Sequence, residues 1–299
     1  LVEAAFQQKG LGKVEMPPKP GIHPGGGDNF IHAMPAFIPE MDSAGIKWVS
    51  GFPGNKERGL PYITGLLVLN DPETGIPLAV MDCVWITAMR TAAASAVGAK
   101  YLARPDSFLM GVLGCGVQGR THARAMQVLF PLKKIKAYDR DPEAAKSFQL
   151  ELEADLNLEV GIVDQPRLAV EGSDLIVTAG PILKEPHRTI QPGWMDEGAF
   201  ASLVDFDSYW DPEALAEADL FFTDDQPQML YYQENGYFQD IPEISGDLGQ
   251  LVCGQKPGRQ NPGERTITCN LGLALDDMAV APALYRLALE KGIGTRLPL

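Results

Sequence analysis

The stretch FLMGVLGCGVQGRTHARAM sets three glycines where an apolar run gives way to an amphipathic one. Each suits a separate demand of holding a dinucleotide diphosphate. Gly114 permits a tight turn out of a strand. Gly116 lets the backbone come up to a pyrophosphate, where a Cβ would collide. Gly119 lets the following helix pack closely on the strand. The free N–H groups at the helix start, Val117 and Gln118, and the positive end of its dipole then face the phosphates. The next strand, KIKAYDRD, closes on Asp139. That is near the position, roughly 20 residues on, where an acid grips the ribose. A carboxylate there accepts from ribose hydroxyls and repels a 2′-phosphate, so NAD is favoured. Arg140 keeps NADP possible, if it pairs with a 2′-phosphate, although DRDPEAA reads more simply as a solvated turn. Thr178-Ala179-Gly180 ends another strand, where backbone would face the cofactor. Leu203-Val204-Asp205-Phe206-Asp207 puts two acids at the carboxyl edge of the sheet, where ligands bind in open α/β folds.

Three further residues carry charge in places that ask for a partner. Lys47 lies in GIKWVS among apolar neighbours, where a cation is costly unless paired. Periodicity alone reads it as an edge-strand lysine facing water. Arg90 falls in the first turn of an Ala-rich helix expected to begin at Thr87, where a cation opposes the dipole. A substrate carboxylate would answer it in a bidentate pair, and so would an internal acid such as Asp82. Asp207, at that carboxyl edge, is of a type that can serve as acid or base, with burial raising its pKa. Asp205 is its rival, and Asp211 suits a helix cap because Pro212 follows. His122 and His187 lack partners in sequence and read as structural. No HExxH or paired histidines point to a catalytic metal.

The elements that must position these residues change character along the chain. Residues 10–35 are rich in Gly and Pro and read as loop with short strands. GIKWVSGFP, YITGLLVLND and PLAVMDCVWI read as strands, the last two joined as a hairpin by the turn NDPETG. From Thr87 the pattern becomes helix, ending before Pro105, and then alternates. Strands are expected at Ser107–Leu113, Lys134–Tyr138, Leu158–Val163, Asp174–Thr178, Ala199–Val204, Leu220–Thr223 and Thr266–Cys269, with a last helix around Asp276–Glu290. That alternation predicts an α/β fold with a parallel sheet covered by helices. Leu1, Val2, Ala5 and Phe6 look like the end of a helix that began earlier.

The 299 residues carry a net charge of −14, which argues against nucleic acid as a partner. No membrane span is expected: the best candidate, Pro77–Ala99, holds Asp82 and Arg90. Cys83, Cys115, Cys253 and Cys269 show no zinc spacing and read as small buried thiols, which suits a reducing, cytoplasmic setting.

The sequence resembles the ornithine cyclodeaminase/mu-crystallin family over almost its whole length. The likeness is carried by MPAF, GIKWVSGFPGN, GLP, the run from Ile86 to Ala96, LGCGVQG, and GLALDDMAVAPALYRLALEKGIGT. It implies a Rossmann doubly wound parallel sheet at 106–272. It also implies an α+β substrate-binding and dimerisation domain from 1–105 with 273–299, and a homodimer through the N-terminal sheet. On the family's pattern Lys47 and Arg90 bind the substrate carboxylate and Asp207 is the catalytic acid/base. Lys47 has a catalytic share as well, and Thr91 lies at the cofactor. Lys19 takes the place of a further carboxylate-binding arginine. His32 stands where ornithine cyclodeaminase has an acid that holds the distal amine, so ornithine is a poorer expectation. The implied activity is NAD(P)-dependent hydride transfer at the α carbon of an amino acid or its imine. The alternatives are an ammonia-releasing cyclodeaminase that uses NAD catalytically, and a non-catalytic binding protein of the mu-crystallin kind.

Overall fold

The computed structural model describes residues 1–298. The chain divides into two units, Leu1–Arg90 with Leu273–Leu299, and Thr91–Gly272. The first opens with helix α1 (Val2–Gly10) and continues through strands β1 (Gly21–Ile22), β2 (Phe30–Ile38), β3 (Ser43–Gly51), β4 (Ile63–Asn70) and β5 (Pro77–Asp82). Helix α2 (Val84–Leu102) runs across the division. The second unit holds β6 (Leu109–Leu113), α3 (Val117–Leu129), β7 (Lys134–Tyr138), α4 (Pro142–Leu156), β8 (Glu159–Ile162), α5 (Pro166–Val170), β9 (Leu175–Thr178) and β10 (Phe200–Leu203). It continues through α6 (Pro212–Leu215), β11 (Leu220–Thr223), α7 (Gln226–Glu234), β12 (Gly246–Asp247), α8 (Leu248–Val252) and β13 (Thr266–Cys269). Helix α9 (Ala274–Glu290) returns the chain to the first unit.

In the first unit β1 to β5 form one antiparallel sheet in sequence order. Helix α9 packs on β2 and β3 and against α1. The Ser43 hydroxyl pins it by donating to the Met278 carbonyl at 2.7 Å. The expected hairpin is present, its turn closed by Asp71, whose Oδ1 accepts from the Glu73 and Thr74 N–H groups. Two expectations need correcting here. The Gly/Pro-rich stretch ends in a full nine-residue strand, β2, rather than short pieces. Helix α2 begins at Val84, not Thr87, so Val84–Ile86 are helical. The Asp82 carboxylate accepts the Val84 N–H at 3.1 Å and starts the helix early. Arg90 therefore lies beyond the first turn.

The second unit is an eight-stranded, wholly parallel sheet in the order β12-β11-β13-β10-β9-β6-β7-β8. Seven strands match the expected segments. The eighth, β12, has two residues, too short to show a pattern. Strand order reverses about β6, so the crevice between β6 and β9 is the switch point where such folds bind ligands. Strands β9 and β10 are buried throughout, as expected for strands covered on both faces. Among the described residues no helix is long and apolar enough to cross a membrane. Among the described residues no cysteine is in a disulfide. Cys83, Cys115 and Cys269 are buried, whereas Cys253, at the end of α8, is only half-buried.

Candidate functional site

Lys47 lies on β3, between β2 and β4, directly opposite Met34 and Leu67. It is a central-strand residue and fully buried, so the edge-strand reading fails. Its Nζ sits 2.7 Å from Asp277 Oδ2 and 3.3 Å from the Thr87 hydroxyl. Arg90 donates through Nε to Asp277 Oδ1 at 3.2 Å, and its Nη1 lies 3.5 Å from Asp276 Oδ2. Asp277 thus bridges the two cations, and Asp276 and Asp277 are acids that meet Arg90. Both acids stand in the first turn of α9, where the helix dipole favours negative charge. Burial, then the Arg90 charge, pushes the Lys47 pKa down to about 8, against the pull of Asp277.

His32, on β2, and Lys19 are also buried. Burial, with the charges of Lys19, His23 and Lys47, brings His32 down to about 3, so it is neutral near pH 7. Phe30 stacks on its ring at 4.4 Å between centroids. The Lys19 and Lys47 charges both act on a neutral histidine, an arrangement that suits an anion such as a carboxylate.

In the second unit the glycine loop has the three properties expected of it. Gly114 has φ +105, and a Cβ there would lie 2.6 Å from the Ala179 carbonyl oxygen. A Cβ on Gly119 would lie 2.3 Å from the Gly114 oxygen. A Cβ on Gly116 would meet nothing within 4 Å, so that backbone faces open space. Val117 is exposed beside it, while Gln118 Oε1 is buried and has no hydrogen-bond partner among the described residues. Asp139 is fixed beside the loop. Its Oδ2 accepts the Cys115 N–H at 2.8 Å and its Oδ1 the Asp141 N–H at 2.9 Å. Arg140 is exposed and Thr91, on α2, is buried. An open backbone cradle, an unmet buried acceptor and a fixed carboxylate fit a dinucleotide.

The two acids after β10 differ sharply. Asp205 accepts the Thr178 hydroxyl at 2.7 Å and the Gly180 N–H at 2.9 Å, so it ties down the end of β9. Burial lifts it to about 7 against those bonds. Thr178 is fully buried, and its hydroxyl also faces the Trp210 indole N–H at 3.4 Å. The Thr178 hydroxyl is thus committed within the protein, and its carbonyl accepts the Val204 N–H at 3.0 Å. Between the acids, Phe206 holds φ +63, a conformation costly for a bulky residue. Its ring packs on Phe238 at 4.8 Å and Tyr232 at 5.5 Å, which anchors the turn that presents Asp207. Asp207 is buried, and burial first, then Asp240, raises its pKa while Arg188 opposes. Asp211 caps α6 by accepting the Glu213 N–H.

Against known proteins, the model of the ornithine cyclodeaminase/mu-crystallin family matches residues 1–292. Alanine dehydrogenase of Archaeoglobus fulgidus is 36% identical over 305 residues, covering 99% of this chain and 91% of that protein. The chain belongs to the ornithine cyclodeaminase/mu-crystallin family. Within that family, Δ1-pyrroline-2-carboxylate reductase of Thermococcus litoralis, solved with NADH and L-proline, is similar with a TM-score of 0.90. It is 35% identical, over 99% of this chain and 94% of that one. An archaeal alanine dehydrogenase dimer with bound NAD gives a TM-score of 0.88 at 34% identity, over 100% and 92%. These family relatives are amino-acid dehydrogenases and imine reductases, and the two solved ones hold NADH and NAD.

Sequence reasoning overlooked the acids Asp276 and Asp277. Their signal was two adjacent carboxylates at the head of an apolar helix, a costly placement without cations to meet them. It also set aside His122, which the fold gives two partners, the Gln118 carbonyl at 2.7 Å and Ser95 Oγ at 2.8 Å.

Proposed function

We propose that this chain is an NAD-dependent oxidoreductase acting at the α carbon of a small amino acid or its imine. The observation that carries this reading is Lys47, fully buried on a central strand and sharing Asp277 with Arg90. Lys47 and Arg90 hold the substrate carboxylate, Arg90 as a planar fork and Lys47 as a point charge, with Lys19 adding to the field. Asp277 keeps both cations in place and limits the cost of burying them. Gly114, Gly116, Gly119, Val117 and Gln118 cradle the diphosphate, Asp139 takes the ribose, and Thr91, Arg140 and the end of β9 at Thr178 border the dinucleotide. The bound nicotinamide supplies the hydride acceptor or donor for the α carbon. Asp207 takes a proton from the substrate amine as the C–N bond becomes an imine, and returns it in the reverse direction. A carboxyl with a raised pKa suits both roles.

Neutral His32, with Lys19 acting on it, is a poor host for a second, cationic amine. Small or cyclic side chains are favoured over diamino acids, in line with the alanine and proline named for the relatives. Trp48, Leu66 and Val80 expose an apolar stripe on the sheet face opposite Lys47 and Leu67. We assign that face to a homodimer, as the archaeal relative is a dimer. Four cysteines outside any disulfide suit a cytoplasmic setting.

The test follows NADH absorbance with L-alanine, L-proline and L-ornithine in one direction. In the other it uses Δ1-pyrroline-2-carboxylate, or pyruvate with ammonia. Turnover with alanine, proline or their imines is expected. Asp207→Asn should lower kcat by about a hundredfold while dinucleotide affinity holds. Ammonia released from ornithine with no net NADH would overturn the reading in favour of a cyclodeaminase.

A further inference from the structure

A line of buried polar groups runs from the glycine loop to the end of β13, and its hydrogen-bond directions can be worked out link by link. His122, on α3, is fully buried and its pKa is brought down to about 4, so the ring is neutral near pH 7. Its Nδ1 lies 2.7 Å from the Gln118 carbonyl oxygen. A carbonyl can only accept, so Nδ1 carries the proton and Nε2 is an acceptor. Ser95 Oγ, 2.8 Å from Nε2, must then donate its one hydrogen there. The Asn270 side chain meets Ser95 Oγ at 3.1 Å, and with that proton committed, the atom facing Ser95 is the amide Nδ2. Asn270 cannot turn its amide over. Its Oδ1 is therefore an acceptor, buried and without a donor among the described residues.

The location narrows what that donor is. Asn270 follows β13, which pairs with β10, and its backbone N–H donates to the Leu203 carbonyl at 2.9 Å. It thus stands at the carboxyl edge beside the strand that leads to Asp207. Strand order places it on the β9–β10 side of β6, whereas Asp139 follows β7 on the other side. A dinucleotide that gives one ribose to Asp139 and its diphosphate to the loop after β6 extends its other half toward β9 and β10. Phosphates only accept; the donors of that half are its two ribose hydroxyls and, at its far end, the –NH2 of the nicotinamide carboxamide, which offers two N–H protons.

We propose that Asn270 Oδ1 is kept for the carboxamide –NH2 of the nicotinamide, its direction locked by Ser95, His122 and the Gln118 backbone. This rests on the dinucleotide reading above and adds the residue that reads the redox end of the cofactor. The same line of bonds ties that residue to the loop that holds the diphosphate.

Calorimetric titration of the full chain tests this with three probes: NAD, its deamido analogue bearing a carboxylate for the carboxamide, and ADP-ribose, which lacks the ring. Wild type should prefer NAD to the deamido form by more than about tenfold, the scale of one buried hydrogen bond set against an unmet, repelled carboxylate. Asn270→Ala should weaken NAD about tenfold, leave ADP-ribose within about twofold, and erase most of the preference. Ser95→Ala keeps Asn270 but frees its amide, so the preference should narrow there too, and this variant decides if Asn270→Ala does not fold. A preference retained in the variants, or an equal loss for NAD and ADP-ribose, overturns the assignment. Wild type that binds ADP-ribose but treats NAD and deamido-NAD alike sinks only this inference. Wild type that binds none of the three removes the dinucleotide reading as well.

Discussion

In the second unit the cradle is made of backbone from one unbroken run, Gly114–Gly119, and is open at Gly116. In the first, Lys47, Arg90, Asp276 and Asp277 come from β3, α2 and α9, and every one is buried. On the proposed reading, one region recognises with backbone N–H groups, and so depends on which side chains are missing. On that reading the other recognises with side-chain charge, and so depends on which partners fold against it. The first kind of site survives most changes that leave space. The second fails when a single partner is lost, because the remaining charge has no water to fall back on.

The largest effect should come from Lys47→Met. It leaves Asp277 buried with Arg90 alone, so stability should fall by about 3 kcal/mol in a urea titration. Turnover should drop below about a thousandth of wild type, because half of the carboxylate clamp is gone. Unchanged turnover would take the cluster out of substrate binding. Next is a pair in the cradle. Gly116→Val should weaken the dinucleotide by about a hundredfold with the melting temperature unmoved, since its side chain meets only ligand space. Gly119→Val should instead lower the melting temperature, because its Cβ falls on the Gly114 carbonyl. If both variants behaved alike, the contrast between open and packed glycines would be lost.

A pH series separates the two regions more finely. Lys47 has its pKa lowered to about 8, so it is charged below that pH and neutral above it. A substrate carboxylate needs the charged form. KM for the amino acid should therefore rise as pH passes about 8, approaching about tenfold per unit, while dinucleotide affinity stays level. His32, at about 3, adds no step between pH 5 and 8. A flat KM to pH 9.5 would place the carboxylate elsewhere. The smallest effect is expected at Asp139→Ala, which should weaken NAD by about fivefold and NADP less. Equal weakening would leave Asp139 as a support for the Cys115 and Asp141 amides only.

The same contrast decides how far each region could be read in advance. The glycine loop, the strand before it, the helix after it and Asp139 lie within one short stretch, so their order alone predicted a strand, a tight turn and a helix N-terminus. Lys47 read by periodicity as a solvent-facing edge residue, because nothing local shows that β2 and β4 cover both its sides. Arg90 read as a first-turn cation because the Asp82 cap that starts α2 early competes with a strand reading of the same residues. Thr178 read as a cofactor contact, yet its hydroxyl is turned to Asp205.

What the amino-acid order determined by itself is whatever depends on near neighbours: the alternation of strands and helices, the hairpin turn at Asp71, the Asp211 cap and the glycine cradle. Each rests on backbone geometry within a few residues. Only the tertiary structure decided that Asp277 joins Lys47 to Arg90, that His32 is neutral, and that Asn270 presents an acceptor rather than a donor. Burial and distant charge set those properties, and both arise only when segments far apart in the chain are brought within a few ångströms and water is removed.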